Sequence, residues 1–302
     1  MKPLLKRAIL LPLLTHGMLL SVLLFAGSAG AVSLKWPGHV DVGLSWVNRI
    51  KPVNNHYGSP ALISNDGSGV LHAYAECGSY TAQLMLQSYE GVITADVLTA
   101  LSGSPSPDAQ QWYDAIDPAQ PHPGSPANGI VLRTLDSKLA THGGRTLRSS
   151  SVTPLAVGDI LAAKYNLGDS SGHVMVVYSI TAPQSAQTMV LSGSKAIPGV
   201  TQVRRWTVQV LDSSDSVHGT FDTRYRKDGS EADGNDHGIG LGSIYLYENA
   251  TPSASTYGQL VGWSWSLNST WSYQFSNRAA VDNLGKTTYR PMLIGRFSGK
   301  GL

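Results

Sequence analysis

Cys77 is the only cysteine in a chain of 302 residues, and the chain opens with a segment that reads as an export signal. Exported proteins use cysteines mainly in pairs, as disulfides. A lone one is an inert buried thiol, an intermolecular link or a nucleophile. Its setting, AYAECGSYTAQLMLQSY, favours the nucleophile. A thiol nucleophile needs a lowered pKa and a base beside it. No proline interrupts Gly78 to Tyr89, and Ala82, Leu84, Met85, Leu86 and Gln87 favour helix. That places Cys77 at a helix N-terminus, where the dipole stabilises a thiolate. Gly78 leaves room for a substrate carbonyl, and the N–H groups of Cys77 and Gly78 would hold an oxyanion. Tyr57 is a further oxyanion candidate. His72 and Tyr74, just ahead of the cysteine, are candidates to line the cleft.

The base should be a histidine on a rigid element. In LAVGDILAAKYNLGDSSGHVMVVYSI, His173 begins an apolar β-branched strand and shares a face with Met175 and Val177. At the end of that face it would look toward a helix packed on the sheet. On its own, His173 reads equally as a residue capping a turn. A third group should accept the other imidazole N–H. WTVQVLDSSDSVHG offers Asp212, which continues the face of Val208 and Val210 and so needs a polar partner. Asp212 reads alternatively as the start of the DSSDS turn, and His218 competes with it for the orienting role or lies in the cleft.

The elements that must position these residues follow from pattern. Residues 32–70 are turn-rich, with Pro37-Gly38, Asn54-Asn55, Ser59-Pro60 and Asp66-Gly67 as breakers. They read as a lead-in with one short strand. VITADVLTAL, DAQQWYDAI and the amphipathic run Asn128 to His142 read as helices. Residues 102–127 hold six prolines and are placed to cover the cleft. After these come seven strand-like segments: DILAAKY, HVMVVYSI, QTMVLSG, TQVRRWTVQVLDS, GSIYLYE, LVGWSWSL and RPMLIGRF. Helices first and strands after them predict an α+β domain with an antiparallel sheet.

Composition narrows the setting. Lys2, Lys6 and Arg7, an apolar run from Ala8 to Phe25, and Ala29-Gly30-Ala31 ahead of Val32 form a cleavable signal over residues 1–31. Removing its three basic residues leaves 19 basic against 20 acidic, from 22 and 20 in the whole chain. A nucleic-acid partner is therefore not expected. No later stretch is apolar enough to span a bilayer, so no membrane contact is expected once the signal is removed.

A cysteine heading a helix, then GDIL and GHVMVV, then a polar residue on the following strand resembles the NlpC-type, papain-like cell-wall cysteine hydrolases. The resemblance covers roughly Tyr74–Gln87 and Ala156–Asp212. It implies a papain-like domain over 71–302 with a helical insertion at about 90–150. It also implies a cofactor-free thiol peptidase or amidase acting on peptidoglycan or another peptide, in the periplasm or secreted. On that resemblance Cys77 is the nucleophile, His173 the base and Asp212 the orienting residue. Glu76-Cys77-Gly78-Ser79 departs from the family's Asp-Cys-Ser-Gly, and the Cys-to-His gap is longer than usual.

Three other features have structural and functional readings. Asp222 and Arg224 in VHGTFDTRYRKDG would pair to fix a loop, while Arg224 or Arg226 would otherwise bind a substrate carboxylate. Asp228, Glu231, Asp233 and Asp236 sit in a glycine-rich acidic loop with His237. It does not match the EF-hand spacing, and no metal is expected. Trp263 and Trp265 are core residues or, if exposed together, a sugar-stacking platform. The second reading belongs to an alternative function: a non-catalytic wall- or glycan-binding protein of the same fold.

Overall fold

The computed structural model describes residues 37–117, 130–132, 155–165, 171–181, 187–188, 199–225, 237–268, 280–281, 287–288 and 290–297. Residues 1–31, expected from the sequence to be an export signal, residues 133–154 and the acidic stretch 226–236, with Arg226, lie outside the described residues.

The lead-in is more ordered than its breakers predict. Pro37-Gly38 does not end an element but begins one, helix α1 (Gly38–Arg49), which buries His39, Val40, Gly43 and Trp46. Three short strands follow, β1 (Asn55–His56), β2 (Leu62–Asn65) and β3 (Leu71–Tyr74), paired in the order β1-β3-β2. Helix α2 (Cys77–Ser88) starts where the sequence places it, with Tyr80, Leu84 and Met85 on its buried side. Glu76 and Ser79 cap it reciprocally: the Glu76 side chain accepts from the Ser79 N–H, and the Ser79 hydroxyl accepts from the Glu76 N–H at 3.1 Å. Helix α3 (Ala95–Ser102) is capped by Thr94 and ends at Gly103, and α4 (Ala109–Ile116) is capped by Asp108.

The remaining described elements are strands: β4 (Ile130–Leu132), β5 (Ile160–Lys164), β6 (Gly172–Thr181), β7 (Gln187–Thr188), β8 (Gln202–Ser214), β9 (Gly238–Asn249), β10 (Leu260–Ser264), β11 (Ala280–Val281), β12 (Thr287–Thr288) and β13 (Met292–Phe297). The expected helix from Asn128 to His142 is replaced at 130–132 by β4, whose backbone extends the sheet beside β13. The stretch GIGLG, which continues the glycine-rich acidic loop in sequence, is not loop but the start of β9. β11 and β12 form a separate pair.

Six long antiparallel strands run in the order β10-β9-β8-β6-β5-β13, with β4 at one edge and β7 beside β8. The fold is therefore α+β. Both faces of this sheet are apolar. Alternation sends Val174, Val176 and Leu211 to one face, against Tyr80 and Leu84 of α2 and Trp112 of α4. It sends Met175, Val177, Val208 and Val210 to the other, with Ile244, Leu246 and Trp263. The Trp263 Nε1–H donates to the Arg290 carbonyl at 3.1 Å, joining the end of β10 to the approach to β13. The sheet thus curls into a half-closed barrel, with an outer layer of helices and an inner core around Trp263. Burying both faces explains why β6 reads as a continuous apolar run.

Candidate active site

Cys77 is 5% exposed and His173 4% exposed, and both line one open cleft of about 1510 Å³ with Tyr57, Glu76, Gly78 and Trp265. They reach it from different layers. Cys77 packs in the outer core with α2. His173 shares the inner face with Met175 and Val177, as the alternation predicts, but α2 covers the opposite face. The histidine meets the cysteine because it occupies the first positions of β6, at the barrel mouth.

His173 Nε2 lies 2.7 Å from Asp212 Oδ2. A carboxylate only accepts, so Nε2 carries the hydrogen and Nδ1 is left for Cys77. Burial opposes a charged imidazole here. The Cys77 sulfur and the Asp212 carboxylate, by charge and hydrogen bond, outweigh that effect and push the His173 pKa up to about 9.

Asp212 is fully buried and engages three partners: His173, His218 Nε2 at 2.8 Å on the same Oδ2, and Arg224 at 2.9 Å on Oδ1. Burial works to raise its pKa, but Arg224, His218 and His173 hold the carboxyl well below its usual range. Arg224 also donates to both oxygens of Asp222, at 2.9 and 2.7 Å, and to the Gly238 carbonyl. The Asp222–Arg224 pair expected from the sequence therefore forms. The substrate-binding role for Arg224 is corrected: its side chain is 2% exposed and donates to two carboxylates and a backbone carbonyl.

The strand opposite Asp212 explains how this cluster fits. Gly240 and Gly242 of β9 lie on the inner face, four and two residues before Ile244. A Cβ at Gly240 would strike Arg224, and one at Gly242 would come within 2.8 Å of Asp222 and 2.7 Å of the His218 Cβ. The alternate glycines of GIGLG make the trench that holds the cluster. That spacing was the signal in the sequence, hidden when the stretch is read as a flexible loop.

Trp263 and Trp265 part company. Trp263 is wholly buried in the inner core, so its proposed role at the substrate is corrected. Trp265 follows the end of β10, lines the cleft and packs on His173 and His218, at ring-centroid distances of 4.8 and 4.2 Å. Trp263 and Trp265 therefore do not form a paired indole platform. His72 and Tyr74 also do not line the cleft. His72 meets Asp66 at 3.2 Å, and Tyr74, 41% exposed, lies against Gly58 and His56. Tyr57 does belong to the site. Burial, with the negative charge of Cys77, Glu76 and Asp215, pushes its phenol up, so it stays protonated and hydrogen-bonds Cys77.

Gly78 serves packing rather than substrate space. A Cβ there would run into the Pro107 carbonyl and lie 2.9 Å from Asp108 Cα. Residues 106–109, unassigned to the site except as part of a cover, form one wall of the cleft. The aspartate of the GDIL motif is structural: Asp159 is buried, accepts from the Ala156 N–H at 2.8 Å and binds Arg296 at 2.6 and 2.9 Å.

Among the described residues, His173, Asp212 and His218 are the group whose ligand atoms come close enough for a metal, within 4.8 Å. They do not fit one. Both nitrogens already hydrogen-bond one oxygen of Asp212, and the Arg224 guanidinium occupies the other. Described helices include none long and apolar enough to cross a membrane.

No family model matches this chain, and no solved structure matches it. It is 25% identical over 241 residues to an uncharacterized protein, R653, of Acanthamoeba polyphaga mimivirus, an alignment covering 77% of this chain and 82% of the viral one.

Proposed function

We propose that the protein is an exported thiol hydrolase of papain-like architecture that cleaves an amide bond in peptidoglycan peptides. The observation that carries this reading is the cleft shared by Cys77 and His173, with His173 held by Asp212 through the opposite ring nitrogen. A nucleophile at a helix N-terminus, a base beside it and a carboxylate behind the base are the parts such catalysis requires. The peptidoglycan substrate and the periplasmic or secreted setting follow from the family resemblance and the export signal.

His173 Nδ1 takes the Cys77 proton, and the thiolate attacks the substrate carbonyl carbon. The oxyanion that forms is held by the free N–H groups of the first turn of α2, with the Tyr57 hydroxyl as a further donor. The C–N bond breaks as His173 returns the proton to the leaving amine. Water, deprotonated by His173, then releases the acyl group from Cys77. No step calls for a cofactor.

The test is digestion of purified peptidoglycan by the wild type and by Cys77→Ala, with muropeptides and free amines quantified. New amine and carboxyl ends from the wild type alone are expected. Identical product profiles from the two proteins remove Cys77 as nucleophile.

A further inference from the structure

His218 is as buried as any residue of the cluster, with its side chain wholly out of solvent. Its Nδ1 lies 2.6 Å from the Trp265 carbonyl oxygen and its Nε2 lies 2.8 Å from Asp212 Oδ2. Both partners are acceptors, and the neutral ring has one N–H to give. The charged groups around it agree with a second proton. Asp212 of β8 and Asp222 of the following turn face one guanidinium, Arg224, leaving one negative charge over. His218, in contact with Asp212 and with an acceptor on each ring nitrogen, is placed to balance it. His173 of β6 is the other imidazole on Asp212, and Tyr80 of α2, a neutral phenol, approaches from the outer layer. Gly242 of β9 presents no side chain. An imidazolium at His218 neutralises the cluster, so the proton on His173 is balanced by Cys77 alone.

We infer that His218 is a positioning residue held as a buried imidazolium, which shares one carboxylate oxygen with His173 and so limits how tightly Asp212 holds the base. It also ties the Trp265 backbone to the cluster, fixing the indole that packs on His173. The catalytic consequence presupposes that His173 serves Cys77; the charge state does not.

Histidine-ring ¹⁵N NMR on the wild-type protein tests the charge without any turnover. At pH 7 both His218 nitrogens are expected at protonated shifts. A neutral-tautomer pattern, with one unprotonated nitrogen, overturns the inference. The second measurement follows the His173 resonances with pH in the wild type and in His218→Gln. The two rings are 6.1 Å apart. Removing a positive charge at that range is expected to raise the His173 titration midpoint by about one pH unit. An unchanged or lowered midpoint sinks the positioning role. Both readouts stand whether or not peptidoglycan is cleaved. If His218→Gln fails to fold, the wild-type spectrum alone decides the charge state.

Discussion

The outer layer and the barrel mouth each bury a histidine that uses both ring nitrogens, yet their partners ask for different charge states. In the outer layer His39 Nε2–H donates to the Gly158 carbonyl at 2.9 Å while Nδ1 accepts from the Tyr89 hydroxyl at 2.6 Å. One donor and one acceptor suit the neutral ring, and burial pushes its pKa down to about 4. At the mouth His218 faces two acceptors and His173 a carboxylate and a sulfur. Burial disfavours a charged ring in both places, so it does not account for the difference between them. The partners do. The outer layer is a core whose polar groups are incidental, whereas the mouth is a charge-balanced cluster set on strands that are apolar two residues away, at Val210 and Ile244.

The sharpest way to break this contrast is to remove one cation from the mouth and one apolar group from the helices. Arg224→Met leaves Asp212 and Asp222 buried with too little positive charge, and unpairing a buried ion typically costs about 3–5 kcal/mol. Leu84→Ala, a cavity in the fully buried outer core, is expected to cost about 2–5 kcal/mol. The sizes overlap, so pH separates them. Urea unfolding should show the Arg224→Met loss shrinking as pH falls and the stranded carboxylates protonate, with the Leu84→Ala loss unchanged. Parallel pH profiles for the two variants would mean that the mouth is packed like any core.

His39 offers the next largest effect. Its folded pKa of about 4 lies below the ordinary 6.5, so the unfolded chain binds the extra proton between those values. Stability should be complete above pH 6.5 and fall toward pH 4, by on the order of 3 kcal/mol. His39→Gln should lose that slope, leaving the acid loss from Asp212, which sets in lower, below its ordinary 3.8. A slope that survives in His39→Gln would show that the ring is not held neutral. His173 moves the other way. With its pKa pushed up to about 9, it keeps the proton that the leaving amine needs until pH rises through that value. Amide cleavage should then decline about tenfold per pH unit. A profile that already falls near pH 6.5 would place His173 outside the influence of Cys77 and Asp212.

The same contrast explains what the sequence discloses. Strict strand alternation puts His173 and Asp212 each at the end of an apolar face, and the structure brings the two together. The helical composition after Cys77 puts the single thiol at the start of α2. The order of helices and strands was equally plain. The route by which His173 reaches Cys77 was not, because alternation assigns a face but not the curling of the sheet that lets a residue at a strand end serve the opposite layer. Tyr57, His72 and Tyr74 are close to Cys77 in sequence, and only Tyr57 reaches the cleft. Proximity along the chain carries little weight when short strands turn side chains away. Gly240 and Gly242 do not announce their role, because glycine marks turns more often than it marks a trench in a strand. Pro37-Gly38 hides α1, since such a pair breaks chains as readily as it starts helices.

The smallest test lies where the two regions touch. The turn before α4 presses on Gly78, so the cap of α4 is part of the wall around Cys77. Asp108 accepts from the Gln111 N–H at 2.8 Å, and its own N–H donates to the Gln111 side chain at 3.0 Å. Asp108→Ala removes that cap but no member of the charge cluster, and such losses run about 1 kcal/mol. Unfolding should show that modest, pH-independent loss. Turnover should change through KM, since the wall loosens while Cys77, His173 and Asp212 keep their contacts. A shift in the alkaline limb of activity would instead mean that the outer layer helps set the charge at the mouth, and the two regions would no longer be separable.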